Sequence, residues 1–240
     1  MIDNRDKAFS HDDLKTVSFL CDRKFGIGAD GVILIEDHTD YDFEMIYFNP
    51  DGSQSLCGNG SRCAVKFAEA LGIISDSTEF LAIDGPHEAS IDGRLVDLKM
   101  GNVLEVEVIG QDSLIDTGSP HYLRYVEHTA DIDPVVLGRE VRYSERFEKD
   151  GVNVNFLEEL SPQELNIRTY ERGVENETLS CGTGCTAAAI AQGIKSGANH
   201  IKLNAQGGQL SVRFERDGDE FKEVFLKGPA EKVYSGQIEV

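Results

Sequence analysis

The chain reads as a mixed α/β protein of two similar lobes, and three observations predict it. The first is a repeated tetrapeptide: Cys57-Gly-Asn-Gly60 and Cys181-Gly-Thr-Gly184 each open a run of small residues with helical character. The second is element order, since both halves run strand, glycine-rich loop, helix, hairpin. The third is a shared ending, Leu98-Lys-Met-Gly101 against Phe225-Leu-Lys-Gly228. Repeats of this length imply two units of one architecture. Lobes related by a pseudo-two-fold would bring the two cysteines to opposite faces of one substrate carbon.

In the first half, Ser10-His-Asp-Asp13 resembles a capping box with Asp in place of Glu. It predicts a short helix carrying Leu14, Val17 and Cys21, ended by Gly26. Gly26-Ile-Gly28-Ala-Asp-Gly31 matches a dinucleotide fingerprint in letters only. That motif needs a strand before and a helix after; here the order is reversed, so a helix-to-strand turn is expected. Val32 to Glu36 and Phe43 to Phe48 read as strands. Asn49-Pro-Asp-Gly52 is turn chemistry, and Asn49 would also offer an amide to a ligand. A helix from Ser61 to Leu71 closes at Gly72, followed by a strand from Thr78 to Ile83 and a hairpin from Ala89 to Met100.

In the second half, Gly118-Ser-Pro-His121 closes a strand in a turn. Asp133-Pro134 is an N-cap followed by proline at the first helical position, opening a helix towards Val141. Val152 to Leu157 and Gln163 to Tyr170 have strand character. A helix from Thr183 to Lys195 closes at Gly197; a strand from Ile201 to Leu203 and a hairpin from Gln209 to Leu226, turning at Asp217-Gly218, complete the repeat. Lys232 to Val240 alternates like a strand that pairs back onto the first lobe. No low-complexity linker occurs, so the boundary near Val103 to Asp112 rests on the repeat. It gives one lobe of residues 1–107 plus 229–240 carrying Cys57, and another of 108–228 carrying Cys181.

With 240 residues the chain can bury a core in each lobe. A formal charge of −20 argues against nucleic acid or an anionic membrane as partner. No apolar run reaches membrane-spanning length, and Met1-Ile-Asp-Asn-Arg-Asp6 is not a signal peptide. Five cysteines, an odd number, read as reduced thiols in a cytoplasm. Standard C-x2-C spacing is absent, so no metal is expected, and no Walker lysine, H-E-x-x-H or G-x-S-x-G is present.

A thiol at a helix start lies among unpaired N–H groups at the positive end of the helix dipole, which favours thiolate. Neighbouring glycines let the backbone approach a ligand and present donors to an anion. Cys57 and Cys181 are therefore the candidate reactive thiols, whereas Cys21, Cys63 and Cys185 read as small buried apolar residues. Arg172, after the strand ending at Glu171, suits a carboxylate. His121 would shift a thiol's pKa or relay a proton. Asn153 interrupts a strand and wants a specific hydrogen bond.

Taken together, Asn49-x-Asp-Gly, Cys57-Gly-Asn-Gly-Ser-Arg-Cys63, Gly118-x-Pro-His121, Asn153, Glu171-Arg-Gly-Val174 and Glu177-Thr-Leu-Ser-Cys181-Gly-Thr-Gly resemble diaminopimelate epimerase, in family order over nearly the whole chain. The resemblance implies two pseudo-symmetric α/β lobes, each a strongly curved sheet around a central helix. It implies a cofactor-independent isomerase that interconverts LL- and meso-diaminopimelate in lysine and peptidoglycan precursor synthesis, cytoplasmic and homodimeric. Cys57 and Cys181 would be the acid and base, and His121 and Glu171 would tune them. Asn49, Gly58, Asn59, Asn153, Glu171, Arg172, Gly182 and Thr183 would hold substrate.

Three departures from the family pattern stand out. Ser119 occupies the place of the usual asparagine in the turn before His121. The loop from Glu171 to Cys181 carries an extra residue, and Asn49 to Cys57 is one shorter. A family strand bearing G-x-G-N-D-F is absent, Met1-Ile-Asp3 aligning with its end. Two alternatives follow: a proline or hydroxyproline racemase with the same two-thiol logic, or an inactive ligand-binding protein lacking that strand.

Overall fold

The first unit is built on two strands rich in buried apolar residues, Val32–Glu36 and Phe43–Phe48. Within it run β1 (Ile2–Asp3), α1 (Leu14–Cys21), β2 (Val32–Glu36), β3 (Phe43–Phe48), α2 (Gly58–Ala70), β4 (Ser77–Ala82), β5 (Gly85–Asp92) and β6 (Leu95–Lys99). The computed structural model describes residues 1–239; this unit comprises Met1–Leu98 with Pro229–Val240, and the second comprises Lys99–Gly228. The sheet runs β1 to β6 in sequence order. β1 is parallel to β2, β2–β3 is an antiparallel pair, and β4 lies parallel to β3 with α2 in the crossover. β2 is buried along its whole length, and its Val32 and Leu34 pack with Val17, Leu20, Ile46 and Phe48. On β3 and β4, Phe43 and Phe80 stack with ring centroids 5.0 Å apart.

β2 and β3 have the limits that alternation and Val/Ile/Phe content predict. α1 differs at both ends. Its N-cap is Asp13, whose Oδ1 accepts the Thr16 N–H at 3.1 Å, while Ser10 Oγ takes the Asp12 N–H. The helix stops at Cys21 because Asp22 turns extended and its carboxylate takes the N–H groups of Lys24 and Phe25. α2 starts at Gly58, three residues before Ser61. The segment from residue 232 to 239 forms no strand, and Val240 lies outside the described residues. Val233 and Tyr234 are 91% and 66% exposed, so the alternation has no buried face to hold it in a ladder.

The second unit contains β7 (Val106–Ile109), β8 (Asp112–Asp116), β9 (Pro120–Tyr125), α3 (Pro134–Arg142), β10 (Asn153–Ser161), β11 (Glu164–Glu171), β12 (Asn176–Thr178), α4 (Gly182–Ser196), β13 (His200–Ala205), β14 (Gly208–Asp217) and β15 (Glu220–Pro229). Its sheet order is β15-β14-β13-β11-β10-β9-β8-β7, with β12 folded back on β11. β9 is parallel to β10, β10–β11 is antiparallel, and β13 lies parallel to β11 with α4 in the crossover. That is the plan of the first unit, with β9, α3 and β10 standing where β1, α1 and β2 stand.

α4 packs against β8, β9 and β10 as well as β13 and β14, so the sheet curves around it. Small residues permit this: a Cβ at Gly193 would sit 2.4 Å from the Phe214 ring and 2.7 Å from the Ala198 carbonyl. Gly197, at φ 78°, ends the helix in the left-handed conformation open to glycine. α3 begins as its sequence dictates, Asp133 Oδ1 accepting the Val135 and Val136 N–H groups ahead of Pro134. α3 covers Tyr122, Val152, Val154, Phe156 and Tyr170.

Candidate active site

Each C-G-x-G segment turns out to be a helix start. Cys57, in extended conformation, is the N-cap of α2, and its Sγ accepts the Gly60 N–H at 3.3 Å. Its carbonyl takes the Ser61 N–H at 2.7 Å and the Ser61 hydroxyl at 3.0 Å. A Cβ at Gly60 would lie 3.3 Å from both Cys57 Cβ and Ile33 Cδ1, so glycine lets the sulfur settle on the first turn. The Asn59 side chain accepts from Arg62 Nη2 at 2.9 Å. Asn49 stitches the approach to the cysteine: its Nδ2 donates to the Ser53 carbonyl at 3.2 Å and to Ser55 Oγ at 3.1 Å.

Tyr47, two residues before this loop on β3, is a neighbour that sequence reasoning missed. Its hydroxyl donates to the Asp30 carbonyl at 3.4 Å and lies close enough to the Cys57 sulfur for the two to interact. Burial first, then the charge that Cys57 and Asp30 can carry, pushes its phenol far above the usual range. The available signal was its position just before a turn that feeds a reactive cysteine. Cys21 and Cys185 are buried, whereas Cys63 is only partly so; burial pushes the Cys21 and Cys63 thiols up.

In the second unit Cys181 is the N-cap of α4, and its Sγ lies 3.4 Å from Thr183 Oγ1. His121 is not on an exposed turn; it sits inside β9, fully buried, because Pro120 already begins the strand. His121 Nε2 meets Thr183 Oγ1 at 2.9 Å and Ser119 Oγ at 3.0 Å. Burial, with a smaller contribution from the Arg172 charge, pushes the imidazole down to about 3, so it is neutral near pH 7. Behind it, Asn155 Nδ2 faces His121 Nδ1 at 3.1 Å. Asn155 also escaped sequence reasoning, although Asn153 and Asn155, two apart on β10, must share a face.

Asn153 is buried and already engaged: Oδ1 accepts the Arg172 N–H at 2.9 Å, while Nδ2 donates to Ser119 Oγ at 3.3 Å and the Pro120 carbonyl at 3.2 Å. It thus ties the start of β9 to the end of β11. Arg172 is exposed and donates to the Asp150 carbonyl at 2.9 Å. Burial pushes the Glu171 carboxyl up, partly offset by the Thr178 hydroxyl donating at 2.9 Å. Gly182 is buried at the first position of α4, and the Thr183 carbonyl accepts from Thr117 Oγ1 at 2.9 Å. His121, Glu171, Asn153, Arg172, Gly182, Thr183 and Cys181 all belong to this second unit, and Asn49, Cys57, Gly58 and Asn59 to the first. Among the described residues there is no cluster of His, Cys, Asp and Glu fit for a metal, and no helix long and apolar enough to cross a membrane.

The fold has solved counterparts. A Bacillus anthracis phenazine biosynthesis protein of the PhzF family superposes with TM-score 0.74 at 12% identity, over 95% of this chain and 88% of that one. A probable proline racemase from Agrobacterium radiobacter does so with TM-score 0.68 at 19% identity, over 95% and 81%. At such identities the likeness defines a fold, the one these racemase-type and PhzF proteins share. The sequence goes further. A family model described as diaminopimelate epimerase matches residues 1–104 and 113–233. A diaminopimelate epimerase of Flavobacterium psychrophilum is 47% identical over 99% of this chain and 94% of its own length, and one of Chlorobaculum tepidum is 40% identical over 99% and 96%. The chain belongs to the diaminopimelate epimerase family, and is an isomerase acting on a small molecule.

Proposed function

We propose that this chain interconverts LL- and meso-diaminopimelate without a cofactor, using Cys57 and Cys181 as the acid–base pair. One observation carries the reading: the two cysteines hold equivalent places in two repeated units, each the N-cap of the crossover helix. A thiol titrates near about 8.5, so thiol and thiolate are both reachable near neutrality. One sulfur, as thiolate, takes the α-proton; the other, as thiol, delivers a proton to the opposite face, and the roles exchange in reverse. N–H groups at the starts of α2 and α4, with Arg172, would stabilise charge growing on the substrate carboxylate.

In this reading Gly58, Asn59, Gly182 and Thr183 offer helix-start donors, Arg172 takes a carboxylate, and Asn49, Asn153 and Glu171 complete the polar lining. His121 and Glu171 tune the thiols. The enzyme works in the cytoplasm as a homodimer. The test is chiral chromatography of LL-diaminopimelate incubated with the purified protein, with L-proline and trans-4-hydroxy-L-proline as competing candidates. Appearance of the meso isomer alone supports the assignment; turnover of either proline and none of diaminopimelate would overturn it.

A further inference from the structure

Three buried side chains behind the Cys181 helix start form a hydrogen-bonded line with a fixed direction. Asn155 and His121 are both 0% exposed, on neighbouring parallel strands, with Asn155 directly across from Thr169 on the other side. The Asn155 amide can be oriented unambiguously. One end lies 3.3 Å from the Tyr122 carbonyl, which can only accept, so that end is the NH2; the other accepts from the Thr169 hydroxyl at 2.9 Å. The NH2 therefore also donates to His121 Nδ1 at 3.1 Å, and Nδ1 must present a lone pair. A neutral imidazole with Nδ1 accepting carries its proton on Nε2. Nε2–H then donates to Thr183 Oγ1 at 2.9 Å or Ser119 Oγ at 3.0 Å. The Thr183 hydroxyl then faces two groups at 3.4 Å, Ser119 Oγ and Cys181 Sγ. Ser119 Oγ already accepts from Asn153 Nδ2 at 3.3 Å and lies in reach of the Nε2–H, so its own hydrogen turns to Thr183 Oγ1 and the Thr183 hydrogen turns to the sulfur.

We propose that Asn155 is a positioning residue which locks His121 as its Nε2–H tautomer and so makes Thr183 a donor to the Cys181 sulfur. This rests on the reading of Cys181 as a proton-exchanging thiol. The opposite tautomer would turn Nε2 into an acceptor of the Thr183 hydroxyl, leaving Oγ1 to accept from the S–H and favouring thiol over thiolate. The glycine at 184 belongs to the same device, since a Cβ there would lie 2.5 Å from Asn155 Oδ1 and 3.3 Å from the His121 ring. Asn155 touches no reacting atom in this account; it acts through His121.

The experiment uses the full chain labelled with nitrogen-15, reading the His121 ring nitrogens by NMR, with iodoacetamide alkylation of Cys181 followed against pH by peptide mapping. The parent should show an unprotonated Nδ1 and a protonated Nε2. Asn155→Asp, whose carboxylate can only accept, should move the proton to Nδ1 above pH 8.5 or so, where the ring is neutral. It should also raise the alkylation midpoint of Cys181 by about one pH unit, with kcat falling more than KM rises. Asn155→Leu, carrying no charge, should raise the midpoint in the same direction, and neither change should add to His121→Gln. A parent spectrum with the proton on Nδ1 overturns the proposal even if no variant folds; so does an unmoved midpoint in a folded Asn155→Asp protein. Neither NMR nor alkylation depends on turnover. A protein that fails to epimerise yet shows these shifts would remove the proposed reaction and keep the lock.

Discussion

Cys57 Sγ accepts the Gly60 N–H at 3.3 Å, so the sulfur proposed to exchange protons with substrate is also the cap of α2. The two duties separate by substitution. Serine caps helices well but is far less acidic, whereas alanine does neither. Cys57→Ser should melt with the parent and lose epimerisation by at least about 100-fold. Cys57→Ala should lose activity equally and also about 0.5–1 kcal/mol of stability, the lower end of measured cap losses. Urea denaturation beside turnover assays checks both; a Ser variant with near-parental turnover would sink the acid–base role. Cys63→Ser and Cys185→Ser should keep turnover and be felt only through packing.

Gly184→Ala is expected to cost about 1–3 kcal/mol, the range for overpacking a filled interior, because its Cβ would lie 2.5 Å from Asn155 Oδ1. The displaced amide must also loosen its hold on His121, so kcat should fall in whatever protein remains folded. A melting curve and turnover indistinguishable from the parent would contradict the close packing of Gly184 against Asn155.

His121 predicts a pH dependence with a definite sign. An unfolded imidazole titrates near about 6.5, whereas in the fold it is held at about 3. Between those values the unfolded chain binds a proton that the folded one refuses. The associated stability is complete above about pH 6.5 and drains as pH falls, by about 1.4 kcal/mol per unit. His121→Gln should therefore show a shallower stability loss than the parent between pH 6 and 4 or so. Parallel urea midpoints across that window would contradict the buried, neutral imidazole.

How much of this was legible beforehand depended on whether local chemistry or tertiary burial decided the outcome. β2, β3, the Asp133-Pro134 helix start and the Gly197 stop follow from side-chain patterns and caps, and all were readable. The sequence predicts α2 from Ser61, since Gly58-Asn-Gly60 suggests loop; in the fold those glycines belong to the first helical turn, needed so that the sulfur and backbone can meet. Gly118 and Pro120 ahead of His121 predict a turn, yet Pro120 opens a strand and the ring is sealed inside. Asn155 was invisible for a related reason. A buried asparagine gains its meaning only from partners on β9 and β11, which local sequence does not name. The tail misled in the other direction, its alternation having no face to bury.

The proposed division of labour between Cys57 and Cys181, one sulfur removing the proton and the other supplying its replacement, is tested most directly by running the reaction in deuterium oxide and stopping it at low conversion. If one thiolate removes the proton and a separate thiol supplies its replacement, the newly formed stereoisomer carries deuterium at the inverted carbon while recovered starting isomer remains protiated. Cys57→Ser and Cys181→Ser should each abolish that product. Product that keeps its original hydrogen, or deuterium entering both isomers equally from the start, would mean a single base handles both faces, and the pairing of Cys57 with Cys181 would be wrong.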